Sequence, residues 1–274
     1  MLRDITIGQY VDTGSVIHKL DPRTKILLLA VYLVLIFAVF SPLAYVVIFA
    51  ATAAVTALSR VPLKFILRGL KPMLFILIFT MVLNLFVTPG EPIWSLRVTS
   101  FWTVNLTQEG INMAVLMFFR LLFLVVASSL LTLTTSPMSL TDGIEKLLKP
   151  FEVIKVPAHE IAMMMTIAIR FIPTLAEEAD KIMKAQTARG ADFESGNMIE
   201  RVKAMLPLLV PLFVSAFRRA DDLAVAMDAR CYHGGKNRTR MNEIKAGKKD
   251  AAAVFLMVIF IAILFTAEHF GKML

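Results

Sequence analysis

Two arginines 41 positions apart offer the clearest chemistry in this chain: Arg189 in "TARG" (Thr187 to Gly190) and Arg230 in "DARC" (Asp228 to Cys231). A guanidinium presents a planar fork of donors to carboxylates and carbonyls, and lysine reproduces that geometry poorly. Each arginine follows an alanine, Ala188 or Ala229, and precedes a break, at Gly190 or Cys231. Laying residues 160 to 190 over 201 to 231 also aligns Ala179-Asp180 with Ala220-Asp221 and Ile182 with Leu223. Identity between the two stretches is low, but both run through an apolar helix, a charged pair and amphipathic turns before Ala-Arg. The charged pairs have opposite signs, Glu177-Glu178 against Arg218-Arg219, and such pairs hold two helices together. In both copies the arginine lies seven residues beyond an aliphatic one, on the face of the apolar stripe. A lone arginine in a last turn before glycine is also what a helix cap and the helix dipole favour. The pairing weighs against that reading without removing it.

Catalytic constellations are scarce. The phosphate-binding GxxxxGK[ST] pattern is absent; "HGGKNRT" lacks its first glycine and the strand that must precede it, so the chain is expected not to hydrolyse ATP. His18, His159, His233 and His269 are scattered, Cys231 is the single cysteine, and Cys231 with His233 gives two ligands at most, so no metal site is expected. Asp142 in "SLTDGIEKLL" reads as a helix-start residue. Arg120 falls inside an apolar stretch, where a charge is costly unless it faces protein or water; it is functional or it pins helices through carbonyl contacts. Asn84 is its weaker analogue, expected to bond between helices. The run Met163-Met164-Met165 suits core packing or an adaptable contact surface for a partner subunit. A competing reading is a membrane-embedded enzyme acting on a lipid or prenyl substrate, with Arg120 and Arg170 as anion ligands.

The elements that must position these residues are membrane helices. Of 274 residues 57% are hydrophobic and 18% charged, with a mean hydropathy of +0.71, more apolar side chain than a soluble core of this size buries. The first 25 residues are polar, without the apolar core of a signal peptide, so the first membrane helix is the expected insertion signal. Residues 26 to 58 are too long for one span of about 20 residues, and Ser41-Pro42 divides them into two helices. Further spans are read at 73 to 87, 109 to 135 and 251 to 265, with a short basic amphipathic piece at 60 to 72. The fold class is therefore an all-α integral membrane protein of about five transmembrane helices. Its organisation is 1 to 135 (four spans), 136 to 250 (an amphipathic helical insert) and 251 to 274 (the last span). Pro and Gly punctuate the insert at "KPFEVIKVP", "ARGADFESG" and "CYHGGKN". Its apolar pieces at 161 to 175 and 205 to 217 read as helices lying against the membrane or the other spans, with an extra hairpin as the alternative.

Of the 29 Lys and Arg residues, 26 fall before residue 26, in 60 to 71 or in 136 to 250, while Arg97 and Lys272 fall on the other side. The positive-inside rule then turns the N-terminus, the 60 to 71 loop and the insert to the cytoplasm. The net charge of +8 reflects topology and lipid headgroups rather than nucleic acid.

With two Ala-Arg-small tips on a cytoplasmic helical insert, the chain resembles the T component of energy-coupling-factor transporters, the family that also contains the permease of cobalt and nickel uptake systems. The X-Arg-X motifs are matched by Ala188-Arg189-Gly190 and Ala229-Arg230-Cys231, where the third position is often glycine. "GQYVDTGSVIHKLDPRTK" and "YHGGKNRTRM" look like family segments too, so the resemblance covers essentially the whole chain. It implies a non-catalytic subunit in the bacterial cell membrane, with no cofactor of its own. Its arginine tips would dock into two ATP-binding-cassette subunits, A and A′, which bind the ATP. The helices would hold a small substrate-binding membrane S component that captures a vitamin or a metal.

Overall fold

The computed structural model describes residues 10–90, 92–99, 102–191, 193, 197–235 and 246–273. Residues 236 to 241 of the "YHGGKNRTRM" segment, Gly8 and Gln9 of the N-terminal one, and part of "ARGADFESG" lie outside them, as do the side chains of Arg97 and Lys272. The regular structure of the described residues is helical apart from one short β-hairpin, and they form an all-α membrane protein.

Helix α1 (Pro22–Ala38) starts where Pro22 presets the first turn and the Asp21 carboxylate accepts from Arg23 N–H. It ends at extended Val39, and Ser41-Pro42 opens α2 (Pro42–Ser59), which closes on left-handed Arg60. Helix α3 (Leu63–Leu70), a 3₁₀ turn at Lys71–Met73 and α4 (Leu74–Val87) follow end to end. The basic amphipathic piece is thus continuous with the span after it. Strands β1 (Pro92–Thr99) and β2 (Trp102–Thr107) pair antiparallel, with irregularities between Pro92 and Trp94 and between Arg97 and Thr99. Helix α5 (Gln108–Thr134) is capped by the Thr107 hydroxyl, which accepts from Gly110 N–H. Then come α6 (Pro137–Leu148), a 3₁₀ stretch at Lys149–Ile154, α7 (Ala158–Ala188), α8 (Met198–Asp228) and α9 (Lys248–Met273). The sequence reading placed no element at 88 to 107. Ile93, Trp94, Val98, Trp102 and Val104 carry a β signal there that span-length hydropathy does not weigh.

Among the described residues four helices are long and apolar enough to cross a membrane: Pro42–Ser59, Leu63–Val87, Gln108–Thr134 and Lys248–Gly271. At 17 residues α1 is about 26 Å long, the lower limit for a hydrocarbon core of about 30 Å. Neither α7 nor α8 is among the four.

Two compact units divide the chain, one of Gly8–Gly143 with Ile244–Leu274 and one of Ile144–Glu243, the boundary falling within α6. The first unit is built around Ile36, Val39, Ala44, Ile48, Phe123 and Leu264, from α1, α2, α5 and α9. Its outer surface is apolar as well, with Val34, Phe49, Phe75 and Phe255 exposed as lipid-facing side chains should be. Polar latches tie its two ends. At one end Lys25 Nζ donates to Thr134 O at 2.8 Å, Asp250 accepts from Asp21 N–H at 2.8 Å and from Gly247 N–H at 2.7 Å, and Thr13 donates to Ser59 O at 2.8 Å. The start of α1, the ends of α2 and α5 and the start of α9 therefore share that end. At the other end Glu268, near the end of α9, accepts from the Phe40 and Ser41 N–H groups of the α1–α2 turn.

Candidate docking tips

In the unit Ile144–Glu243, α7 ends in a motif that satisfies its last carbonyls. Gly190 N–H bonds to Thr187 O at 2.9 Å and Ala191 N–H to Gln186 O at 3.0 Å, with Gly190 at φ +88°. Helix α8 ends the same way: Cys231 N–H bonds to Asp228 O at 2.9 Å and Tyr232 N–H to Met227 O at 3.1 Å, with Cys231 at φ +55°. Every donor and acceptor in one end has its counterpart 41 residues on in the other. Both are Schellman caps in which the arginine is the last residue before the left-handed one. The cap accounts for Gly190, and for the cost of Cys231, since a side chain at positive φ is strained by about 1–2 kcal/mol. It makes no use of either guanidinium. Ala188, Arg189, Ala229 and Arg230 are exposed, and the Cys231 thiol is free and exposed.

The two helices cross where the echo places equivalent residues. Arg219 Nη2 donates to Glu178 Oε2 at 2.6 Å, and these positions are themselves 41 apart. When equivalent residues meet, the contact lies on an approximate two-fold axis that exchanges the helices. The helices leave it in opposite senses. Beyond the crossing α8 and its continuation run back along α7, bringing Gly234 to Glu160 and Gly235 against the His159 ring. Between them lies a mostly apolar groove of about 650 Å³ lined by Ile167, Phe171, Leu175, Leu223, Met227 and Tyr232. Each arginine stands eleven residues past its crossing partner, about 16 Å along its axis, so the tips point apart by roughly 30 Å. Ile182 and Leu223 are half-buried, in keeping with arginines that emerge from the packing side. Pro173, Pro207 and Pro211 stay within α7 and α8, where each removes a backbone donor.

Other residues singled out from the sequence fall elsewhere. Met164 is exposed, with Met163 and Met165 half-buried, and none of the three lines the groove. Arg170 is exposed on α7. Arg120 belongs to the other unit and is 5% exposed. Its Nε donates to Tyr45 Oη at 3.1 Å and its Nη2 to Val39 O at 3.1 Å, while the guanidinium lies 5.2 Å from the ring centres of both Phe37 and Phe40. That is the helix-pinning geometry: the Val39 carbonyl just past α1 and a hydroxyl of α2 are gathered by α5. Asn84 departs from expectation. Its amide donates to Thr80 O at 2.8 Å within α4 rather than to another helix, because one turn back is the nearest carbonyl the side chain reaches. Asp142 is likewise corrected: α6 starts at Pro137 after Ser136, whose hydroxyl accepts from Ser139 N–H, so Asp142 is inside the helix. Sequence reasoning missed Lys25, Asp250 and Glu268. Their only signal is a lone charge at the edge of an apolar run, and their partners are backbone groups remote in the chain.

Comparison with known proteins identifies what this arrangement is similar to. The family model CbiQ, described as cobalt transport protein, matches residues 13–241. An energy-coupling factor transporter transmembrane protein EcfT of Ruminiclostridium cellulolyticum is 51% identical over 269 residues, 98% of this chain and 99% of that one. The protein of the same description from Thermosediminibacter oceani is 55% identical over 254 residues, covering 92% and 93%. That of Bacillus subtilis is 43% identical over 265 residues, covering 97% and 98%.

Proposed function

The chain belongs to the CbiQ family, with the transmembrane proteins EcfT of energy-coupling factor transporters, and on that premise we propose that it is the scaffold passing ATP-driven motion to a substrate-binding membrane subunit. The observation that carries the proposal is the pair of equivalent tips on a crossed helix pair. Two ATPase subunits facing each other across a two-fold axis offer two equivalent pockets, and a lever that fits both must present the same contact twice in related orientations. Arg189 and Arg230 supply those contacts, each flanked by an alanine and a tight turn that leave the guanidinium unobstructed. A small residue in the third position keeps the turn close to the partner surface.

Motion of the tips then passes along α7 and α8 as rigid levers, with the Glu178–Arg219 contact as the pivot between them. The apolar groove and the Met163 to Met165 stretch face the captured S component, where methionine's adaptable packing serves a contact that must slide. The N-terminus and the insert lie on the cytoplasmic side of a bacterial cell membrane, a placement that the distribution of Lys and Arg supports. The chain has no catalysis of its own; ATP is bound by the A and A′ subunits. The cargo is a vitamin or a transition metal such as cobalt or nickel, chosen by the S component.

Affinity purification of the tagged full chain from its native membrane tests the assembly. Two different nucleotide-binding proteins and at least one small membrane protein are expected to come with it. Purification of the chain alone, fully folded, from cells that express all candidate partners would sink the proposal.

A further inference from the structure

The stretch from Arg60 to Met73 carries four cations, and no Asp or Glu occurs anywhere between Asp21 and Glu91. Lys64, Arg68 and Lys71 follow one another at i, i+4 and i+7, which sets them on one helix face within an arc of roughly 60°. Arg60 precedes them at the close of α2. All four are exposed, and among the described residues no carboxylate lies within ion-pair distance of any of them. Like charges one turn apart repel, so this face favours an anionic counter-charge.

The neighbouring face shows what accompanies that charge. Phe65, Gly69 and Met73 form one wall of a groove of about 380 Å³, and Leu124, Ser128 and Thr132 of α5 form the other. The groove descends along about 12 Å of helix from the cation level toward the apolar run of α4. At its upper lip the Arg68 guanidinium lies over the Phe65 ring, 5.8 Å from its centre. On the far side of the cations Leu63 and Leu67 are 65% and 62% exposed. Anion-binding heads above an apolar slot, flanked by exposed leucines at the edge of a membrane span, match an amphiphile. A soluble acidic protein would answer the charges but leave the leucines and the slot uncovered.

The geometry points to a binding site for an anionic glycerophospholipid, its phosphate held by Lys64, Arg68 and Lys71 and the upper part of one acyl chain in the α3–α5 groove. The site belongs to the membrane unit alone and stands whether or not the tips dock to ATPases. Each cation near an anionic headgroup contributes about a 5-fold preference over a zwitterionic one.

The test is native mass spectrometry of the full-length chain released from membranes of equal phosphatidylglycerol and phosphatidylcholine with matched chains. The wild type is expected to retain phosphatidylglycerol over phosphatidylcholine by at least about 10-fold. K64Q/R68Q/K71Q should bring that ratio to about 1, K64R/R68K/K71R should keep it, and Ser128→Phe should displace the lipid with every cation in place. Excess glycerol phosphate should not compete, since it lacks the chain. Undiminished preference in both the glutamine variant and Ser128→Phe overturns the proposal, as does displacement by glycerol phosphate. So does a glutamine variant that keeps its lipid but loses a co-purifying protein, which would assign the stripe to that partner. If the glutamine variant fails to insert, the arginine-lysine exchange and Ser128→Phe decide between the same outcomes.

Discussion

At the residue scale, two side chains show how polar chemistry survives in an apolar chain. Arg120 donates to the Tyr45 hydroxyl and to the Val39 carbonyl just past α1, and its guanidinium lies against two phenyl rings. Arg120→Met removes the donor to the buried Val39 carbonyl and to the Tyr45 hydroxyl and should lower stability by about 2 kcal/mol, read as thermal unfolding in a fixed detergent. An unchanged midpoint would mean that the pin carries no load. Cys231 presents the opposite case, a residue in a conformation that suits glycine. Cys231→Gly should raise the stability of the second helix end by about 1 kcal/mol, and Cys231→Val should lower it by a similar amount. Hydrogen exchange of the Cys231 and Tyr232 amides, whose bonds close the cap, reports both changes.

At the scale of elements, the Glu178–Arg219 contact decides whether α7 and α8 cross at one point or slide. Both side chains are partly exposed, so the pair contributes at most about 1 kcal/mol, and its value lies in register. Arg219→Glu places like charges at the crossing and should impair uptake, while the swap Glu178→Arg with Arg219→Glu should restore it. Failure of the swap to restore would show that the crossing does not depend on this pair. Spans were legible because span length and apolar composition are one-dimensional properties, and Ser41-Pro42 marks the first turn without ambiguity. The twin helix ends were legible as a repeat of Ala-Arg before a break, even though Gly190 holds the left-handed position in one and Cys231 in the other. The hairpin at Pro92–Thr107 was not, its period-2 signal being short and lying between two strongly apolar runs. Asn84 and Asp142 misled for a related reason: a polar residue announces that it needs a partner, but not whether that partner is one turn or one helix away. Asp250, whose carboxylate closes the start of α9 and receives Asp21 N–H, needs the three-dimensional arrangement to be recognised at all.

At the scale of the whole chain, the sequence separates a membrane unit with few internal charges from a charged helical unit whose two arginines are held out on stiff, capped helices. That division suits a protein that moves others rather than transforming a substrate. The most direct measurement uses the complete complex in proteoliposomes, with ATP-driven uptake and ATP hydrolysis followed together for Arg189→Glu, Arg230→Glu and the double variant. Each single reversal should lower uptake by about 10-fold or more, corresponding to the loss of a charged hydrogen-bonded contact of at least about 1.4 kcal/mol. The double variant should abolish uptake, either by losing the ATPase subunits or by leaving them hydrolysing ATP without transport, while the chain still inserts. Wild-type uptake by the double variant would contradict the assignment of Arg189 and Arg230 as the coupling tips.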